Sequence, residues 1–392
     1  MLVSDYNYDL PEERIAKFPP EERGSTRLLV LDRKTGEIED SYYRNLDDFL
    51  RPGDVLILND TRVMQSRLFC QLSDGRQREL VVLEKHGDEP QRVMYRGKLH
   101  EEDKLFIEPE GVRRLANRGL APAACGDRPA GRAPKADEKF VIVKRILGNG
   151  IAEIESATPL ADLAEKYGTV PLPPYLHRDA EESDKKRYQT VWAKHMGSAA
   201  APTASLNMTE ELLEKLRQKG VIIKYLTLHV GLGTFLPIRS DEVEGHKMHS
   251  EWFHIPGDTI AEIERVRQTS AGDRAGGTPD ARSAASMVGE TARPGPAENM
   301  RPRVVALGTT VARTLEYYGK TGRTEGEDDI FIYPGFKFTV VDALLTNFHA
   351  PKSTVLMLAS AFAGWDHLHT AYNHAIDQKY NFLSYGDSML IC

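Results

Sequence analysis

A nearly unbroken apolar run, residues 221–230, constrains the fold of this chain more than any other stretch. Such a run is typical of a strand in a parallel sheet that helices cover on both faces. A helix is predicted just before it, because Thr209 is a good N-cap residue. His229 lies at the end of the run, followed by Gly231 and Gly233. Ligands of open α/β sheets bind beyond the carboxyl ends of the strands, so we predict the active site here.

Three further apolar strands are predicted, and each ends in polar or glycine residues, at Asn59, Gly308 and Asn347. If the strands are mostly parallel, these ends converge on one edge of the sheet and form a crevice. Two simpler interpretations stay open. The polar residues at Asn59 begin a turn, and those at Gly308 cap a helix whose N-terminus also suits an anion. The candidate residues at these strand ends are Asp60, Arg62, Thr309, Thr310, Arg313, Asn347 and His349.

The pattern of the sequence changes between residues 67 and 154. Short segments of alternating apolar and polar residues, several of them separated by glycine and aspartate turns, are typical of a small barrel or sandwich. Residues 110–138 inside this region are rich in Ala, Gly, Arg and Pro, cannot bury a core and are interpreted as a disordered loop. Residues 269–300 have a similar composition and are interpreted as a second low-complexity insertion.

Composition and the chain ends favour an ordinary cytoplasmic protein. The length of 392 residues suggests two or three domains, and the three cysteines are too widely spaced for a disulfide framework. Residues 4–18 are charged and are predicted to form a short helix rather than a signal peptide. The longest apolar run, residues 355–365, is shorter than the roughly 20 residues that a membrane helix needs. The net charge of −7 argues against a surface coated in nucleic acid, but it permits a local basic patch that meets one RNA.

Several common nucleotide-binding and catalytic motifs are absent from the sequence. There is no P-loop and no GxSxG, and Leu236 stands where a dinucleotide-binding loop starting at Gly231 needs its third glycine. His246, His249 and His254 are not spaced like zinc ligands, and no cysteine supports them. We therefore expect no metal site.

Long and specific motifs run through almost the whole chain. They are YDLPEERIAKFP, RPGDVLILNDTRV, GTVPLPPYL, RYQTVWAKH, AAPTA, LTLHVGLGTF, HKMHSEW, FIYPGFKFTVVDALLTNFHAPKST, SAFAG and FLSYGDSMLI. With these motifs the chain resembles the S-adenosylmethionine:tRNA ribosyltransferase-isomerases, a family of queuosine biosynthesis. The resemblance implies an α/β main domain, residues 1–66 and 155–392, with an inserted small β-barrel domain, residues 67–154.

The resemblance also implies a reaction. The ribosyl part of S-adenosylmethionine moves to 7-aminomethyl-7-deazaguanine in a tRNA, which gives epoxyqueuosine and releases adenine and methionine. A base must remove a proton beside the sulfonium, an acid should protonate adenine, and fixed donors must stabilise polar intermediates. We expect S-adenosylmethionine as a co-substrate, that tRNA as the partner, no metal or redox cofactor, no membrane contact and a monomer.

At matching positions the resemblance implies roles for individual residues. His229 is assigned to proton transfer, since imidazole titrates near neutrality, and Asp60 and His249 are the other catalytic candidates. Arg62 is expected to hold a carboxylate in a bidentate contact. Glu79 aligns with an acidic position of a barrel strand, or is an ordinary exposed strand residue. The remaining substrate-binding candidates are Thr203, Asn207, Gly231, Gly233, Thr309, Thr310, Arg313, Asn347 and His349.

Two motifs depart from the family pattern. Where the family has APTAGLHFT, this chain has Ser205, Asn207 and Met208 in place of glycine, histidine and phenylalanine. Serine adds a Cβ where backbone approaches a ligand, and asparagine lacks the titratable proton of histidine. The second motif is TTVARTLE at residues 309–316 in place of TTSVRALE, which drops a serine hydroxyl but keeps Arg313. We predict that these changes cluster in the crevice. Two hypotheses follow: an active ribosyltransferase-isomerase, or a catalytically altered or silent paralogue that binds nucleoside or tRNA.

Overall fold

The computed structural model of the chain describes residues 1–83, 90–108, 139–148, 150–231, 238, 240–275 and 301–392. The predicted loop at 110–138, residues 276–300 of the second predicted insertion, and Gly233 lie outside the described residues. The strands are β1 (Arg27–Leu31), β2 (Ile38–Tyr42), β3 (Val55–Asn59), β4 (Thr61–Val63), β5 (Arg67–Leu72), β6 (Gln77–Val82), β7 (Arg92–Arg96), β8 (Lys104–Ile107), β9 (Phe140–Gly148), β10 (Ile151–Glu155), β11 (His195–Ser198), β12 (Ile222–Leu228), β13 (Glu251–His254), β14 (Val304–Leu307), β15 (Glu325–Asp328), β16 (Ala343–Asn347) and β17 (Ser388–Ile391). The helices are α1 (Leu160–Tyr167), α2 (Asp184–Arg187), α3 (Glu210–Gln218), α4 (Gly257–Ala275), α5 (Thr309–Thr321), α6 (Thr354–Ala363) and α7 (Trp365–Asp377). In the part of the chain that the structure describes, no helix is both long and apolar enough to cross a bilayer.

Nine strands form one mixed sheet in the order β15-β13-β12-β3-β14-β16-β17-β1-β2. The central neighbours β12, β3, β14 and β16 all run parallel. Because of this shared direction, their carboxyl ends meet at one edge of the sheet, as predicted from the polar strand ends. Strands β4 and β11 form a separate parallel pair that begins just after β3.

Helices cover both faces of the central sheet. Val55 and Ile57 of β3 pack into one apolar cluster together with residues of α5, α6 and α7. Leu56 and Leu58 of the same strand pack into a second cluster with residues of α3. Every residue of β3, β14 and β16 is buried, which is why their sequences are apolar at successive positions rather than at alternate ones. Thr209 caps α3 as predicted, accepting a hydrogen bond from the Leu212 amide at 3.1 Å.

The six strands β10-β7-β6-β5-β8-β9 form a closed antiparallel barrel. With the exception of Glu155, they lie in the region, residues 67–154, where short alternating segments predicted a small barrel or sandwich. Their inward side chains pack with Leu160 and Leu163 of α1. The predicted fold class, an α/β main domain with an inserted small β-barrel, is confirmed. The domain boundaries at residues 66 and 154 stay predictions.

The helix predicted over residues 4–18 is wrong. The N-terminal segment has only two short 3-10 turns there, Val3–Asp5 and Glu12–Arg14. Between them the chain buries alternate side chains, Tyr6 and Tyr8, at 8% and 6% exposure. Both tyrosines pack into the main apolar cluster, and this packing outweighs the local helix signals.

Candidate active site

A pocket, which we call the crevice, opens at the carboxyl ends of the central strands. Three of the four predicted strand ends line it, through Val230 after β12, Thr309 after β14 and Phe348 after β16. Residues 201–204 and Tyr175 are among the other residues of its lining. The predicted site residues found in its lining are Thr203, Thr309, Thr310, Asn347 and His349.

The N-terminus of α5 forms one wall of the crevice. Gly308 precedes the helix with a φ of 99°, a backbone conformation that favours glycine. Thr309 and Thr310 follow, and among the described residues no side chain caps this helix. First-turn amide groups carry the partial positive charge of a helix N-terminus. This wall is therefore suited to an anionic part of a substrate.

The wall that follows β16 is polar and fixed. The Thr203 hydroxyl donates to the amide oxygen of Asn347 at 3.0 Å. Thr346 Oγ1 lies 3.0 Å from Nε2 of His349, and the hydroxyl of Tyr8 donates to the His349 carbonyl. Burial lowers the pKa of His349 to about 3, so its imidazole is neutral near pH 7. His349 therefore offers hydrogen bonds to a substrate but no charge.

His229 lies directly after β12, beside the crevice residue Val230. Its Nδ1 is 2.8 Å from the hydroxyl of Thr61, and its ring stacks on Trp252 with centroids 5.3 Å apart. The backbone of Gly197 lies against the same ring, where an added Cβ would come within 2.6 Å of it. Neutral groups thus fix both the ring plane and Nδ1. The sequence-based assignment missed Thr61, Trp252 and Gly197, although the first two lie within the motifs RPGDVLILNDTRV and HKMHSEW.

The end of β3 does not reach the crevice lining. Asp60 accepts a hydrogen bond from Thr227 at 2.6 Å, and its other oxygen lies 3.6 Å from Nε2 of His195. Arg62 is exposed on β4. The structure therefore places Asp60 and Arg62 one residue to either side of Thr61, the partner of His229, and outside the pocket itself.

Glu251 joins three predicted residues at the end of β12. Its carboxylate accepts hydrogen bonds from the Gly231 amide at 2.7 Å and from Arg313, and it lies 3.1 Å from Nε2 of His249. Burial alone would raise the pKa of Glu251, but Arg313, His249 and the Gly231 amide together lower it to about 2. Glu251 is therefore ionised and holds His249 in place. The sequence-based assignment missed Glu251, which also lies in HKMHSEW.

Arg313 lies outside the crevice lining but lines a small neighbouring pocket together with Thr309 and Thr310. Its guanidinium bonds to Glu251 and, at 3.3 Å, to Asp328, and its side chain is 6% exposed. Burial raises the pKa of Asp328, and Arg313 opposes that shift. Since two buried acids engage the guanidinium, we interpret Arg313 as a counter-ion that supports Glu251. Its assignment to substrate binding stays a prediction.

Two other predicted residues lie away from the crevice. Glu79 forms a bidentate ion pair with Arg67 on the barrel, at 2.9 and 3.0 Å, and faces a different cavity. Asn207 is buried and donates to the Gly386 carbonyl at 3.0 Å and to the Ser388 hydroxyl at 3.1 Å. Its side chain serves internal packing rather than the pocket.

The other two departures from the family motif are also structural. Ser205 ends the 3-10 turn Thr203–Ser205 and is fully buried, and Met208 is fully buried in the cluster beneath α3. None of the three substituted side chains lines the crevice. The prediction that these changes cluster in the crevice is corrected accordingly.

Comparison with known proteins identifies the family. The profile of the family described as queuosine biosynthesis protein matches residues 3–300 and 295–391. The S-adenosylmethionine:tRNA ribosyltransferase-isomerase of Pelodictyon phaeoclathratiforme is 48% identical, and that of Francisella tularensis subsp. novicida is 40% identical, each over 100% of both chains. A crystal structure of S-adenosylmethionine tRNA ribosyltransferase from Thermotoga maritima is 28% identical, with a TM-score of 0.49 over 99% of this chain and 100% of that one. On the family profile and the full-length relatives, this chain belongs to the queuosine biosynthesis protein family of S-adenosylmethionine:tRNA ribosyltransferase-isomerases.

Proposed function

We propose that this enzyme transfers and isomerises the ribosyl part of S-adenosylmethionine onto 7-aminomethyl-7-deazaguanine in tRNA. The products are epoxyqueuosine in tRNA, adenine and methionine. The names of the full-length relatives support this activity. The observation that carries the proposal is the crevice at the parallel strand ends, where a helix N-terminus faces fixed neutral donors and acceptors.

The reaction needs proton transfer at two places. The sulfonium of S-adenosylmethionine acidifies the adjacent ribose carbon, so a base has to accept that proton. Adenine leaves poorly as an anion, so an acid has to supply a proton to it. His229 and His249 are the candidates for these transfers. His229 lies directly after β12, and His249 lies next to Gly231, which follows the same strand.

Different contacts position the two histidines. The hydroxyl of Thr61 contacts Nδ1 of His229, and Trp252 stacks on its ring. The carboxylate of Glu251 lies 3.1 Å from Nε2 of His249. We assign the two proton transfers to His229 and His249. Glu251 and Arg313 act as positioning residues for His249.

Substrate binding follows from the walls of the crevice. The N-terminus of α5, with Thr309 and Thr310, is assigned to the carboxylate of the methionine part. Thr203, Asn347 and the neutral His349 supply hydrogen bonds to ribose or base. Gly231 keeps its backbone amide on Glu251 and so contributes to the support of His249. Asp60, next to the His229 partner Thr61 in the chain, is a further catalytic candidate. Arg62, the exposed residue of β4, is assigned to a phosphate or carboxylate at the entrance.

The proposed chemistry uses S-adenosylmethionine as a co-substrate and needs no metal or redox cofactor, since proton transfer and electrostatic stabilisation suffice. Its partner is the tRNA that carries the deazaguanine, and we propose a cytoplasmic monomer. The hypothesis of a silent paralogue rested on Ser205, Asn207 and Met208. Their positions outside the crevice favour the active enzyme.

The test is direct. Purified protein is incubated with S-adenosylmethionine and a tRNA that carries 7-aminomethyl-7-deazaguanine, and adenine release and the anticodon nucleoside are followed by liquid chromatography and mass spectrometry. We expect adenine and epoxyqueuosine in equal amounts, and neither product with the same tRNA carrying guanine. Binding of both substrates without release of adenine would refute the proposal.

A further inference from the structure

A second cavity, which we call the interdomain cleft, lies between the barrel and the connector at residues 171–179. Its volume is about 580 Å³. One wall comes from β5, β6 and β7 of the barrel, and the other from the proline-rich connector and the residues after it. None of the crevice residues lines it. Glu79, a predicted site residue that does not line the crevice, lines this cleft.

The barrel wall presents a row of charges across three strands. Glu79 on β6 lies directly opposite Arg96 on β7 in the antiparallel ladder. Arg67 on β5 takes both oxygens of Glu79. Arg96 is exposed and, among the described residues, makes no hydrogen bond or ion pair. The guanidinium of Arg96 is therefore the positive charge of this row that makes no bond to Glu79.

Apolar side chains continue the same barrel face. Val81 and Met94 are cross-strand partners, two residues from Glu79 and Arg96 respectively, so the two-residue period of a strand places them on the same face as those charges. Across the cleft, Pro171, Pro173 and Pro174 form a stiff apolar surface. The cleft therefore combines an apolar slot with a cation at its edge.

The other two arginines of the cleft are paired with acids. Arg178 bonds to the buried carboxylate of Asp184 at 2.7 and 2.8 Å, and Arg67 bonds to Glu79. Arg96 is the third arginine of the lining. The whole chain carries −7, so Arg96 offers an anion a local contact on an otherwise acidic protein.

The cleft and the crevice share one structural element. Tyr175 lines the crevice, while its neighbours Pro174 and His177 line the cleft. The two cavities therefore border the same short segment, and we infer that a polymeric substrate with one unit in the crevice extends its adjoining units towards the cleft. Single-stranded nucleic acid fits this arrangement, since it offers a flat base for an apolar slot and a phosphate for a guanidinium.

We propose that the interdomain cleft binds the RNA strand next to the nucleotide that is modified. A neighbouring base inserts between Val81 and Met94 on one side and the prolines on the other. Arg96 contacts a backbone phosphate, and the Arg67–Glu79 pair keeps the wall rigid. This inference rests on the proposed function, because it takes the substrate to be a tRNA whose loop is single-stranded.

The experiment measures binding of a fluorescently labelled anticodon stem–loop RNA by anisotropy at several salt concentrations. Arg96→Gln is compared with the wild type and with Arg76→Gln, which removes the same charge from the exposed turn between β5 and β6. We expect Arg96→Gln to weaken binding about tenfold and to reduce the salt slope by about 0.7, the value for one phosphate on a single strand. Arg76→Gln should bind as the wild type does.

Adenine release separates this inference from the proposed function. If the wild type releases adenine but Arg96→Gln keeps the wild-type RNA affinity and salt slope, the cleft proposal is overturned and the function stands. An equal loss in both variants also overturns it, because the effect is then one of overall charge. A selective loss in Arg96→Gln supports the cleft even if no adenine is released, in which case only the function fails.

Discussion

His229 and His249 are held through adjacent residues of the same strand, β13, but by different kinds of partner. Trp252 stacks on His229, and the hydroxyl of Thr61 contacts its Nδ1, and both of these partners are uncharged. Glu251 holds His249 with an ionised carboxylate that Arg313 balances. One strand thus supplies one histidine with an uncharged aromatic partner and the other with a charged one. The two histidines are therefore positioned by different kinds of contact.

The variant Glu251→Gln tests the charged carboxylate that lies between His249 and Arg313. The change removes a buried carboxylate from Arg313, and we expect the free energy of unfolding to fall by about 3 kcal/mol, the order seen when a buried ion pair loses one partner. The loss is measured by urea denaturation at pH 7. Glu325→Gln is the matched control, since Glu325 pairs with His254 at 3.5 Å on the surface and exposed pairs contribute little.

The pH dependence of the same variant gives a sharper result. The pKa of Glu251 is about 2 in the folded chain and 4.5 ordinarily, so its stabilising contribution is complete above pH 4.5 and is lost as the pH falls towards 2. The difference in the free energy of unfolding between wild type and Glu251→Gln should therefore become smaller as the pH falls from 4.5 towards 2. A gap that stays constant with pH would show that Glu251 does not stabilise the fold through its charge.

The neutral side is tested by Gly197→Ala. An added Cβ would lie 2.6 Å from the His229 ring, so the ring has to move. Since small displacements of a catalytic group are costly, we expect kcat to fall about 100-fold with little change in melting temperature. Gly257→Ala is the control, because an added Cβ there meets nothing within 4 Å. Full turnover in Gly197→Ala would remove His229 from the proton-transfer mechanism.

His349 is a third histidine of the site. Its partner, the hydroxyl of Thr346, is uncharged like the partners of His229. Burial lowers its pKa to about 3 from an ordinary 6.5, so the folded chain binds this proton less readily than the unfolded chain. Stability is therefore complete above pH 6.5 and falls as the pH drops below that value. At pH 5 we expect His349→Gln to retain about 2 kcal/mol more of its pH 7 stability than the wild type does. His254→Gln, on the surface, should show no such gain.

Elements of the fold that depend on local pattern were predictable, and those that depend on distant partners were not. The six barrel strands could be identified because antiparallel neighbours lie close in sequence and turns mark their ends. The parallel strand ends could be identified because each strand is buried on both faces. The predicted helix at residues 4–18 was wrong because Tyr6 and Tyr8 pack against distant residues.

The same division explains which contacts of the candidate site were missed. The partner that engages Arg313, Glu251, lies 62 residues earlier in the chain, so the local sequence does not show this ion pair. Asn207 was placed in the crevice because its motif was, but its amide partners lie 179 and 181 residues later. A motif identifies the segment that forms the site. It does not show which side chains of that segment face the substrate.

The variant Asn207→His tests whether the family motif or the observed side-chain contacts better indicate the role of residue 207. If the histidine of the family motif were a proton carrier, restoring it would raise kcat. In the structure, however, a histidine at this position would meet the Gly386 carbonyl and the Ser388 hydroxyl, neutral partners that lie outside the crevice. We therefore expect kcat to stay within about twofold of the wild type, while the larger side chain costs about 1 kcal/mol of stability in a packed interior. A tenfold rise in kcat would instead place residue 207 in the chemistry. The Gly386 carbonyl and the Ser388 hydroxyl would then be the partners that orient a catalytic imidazole.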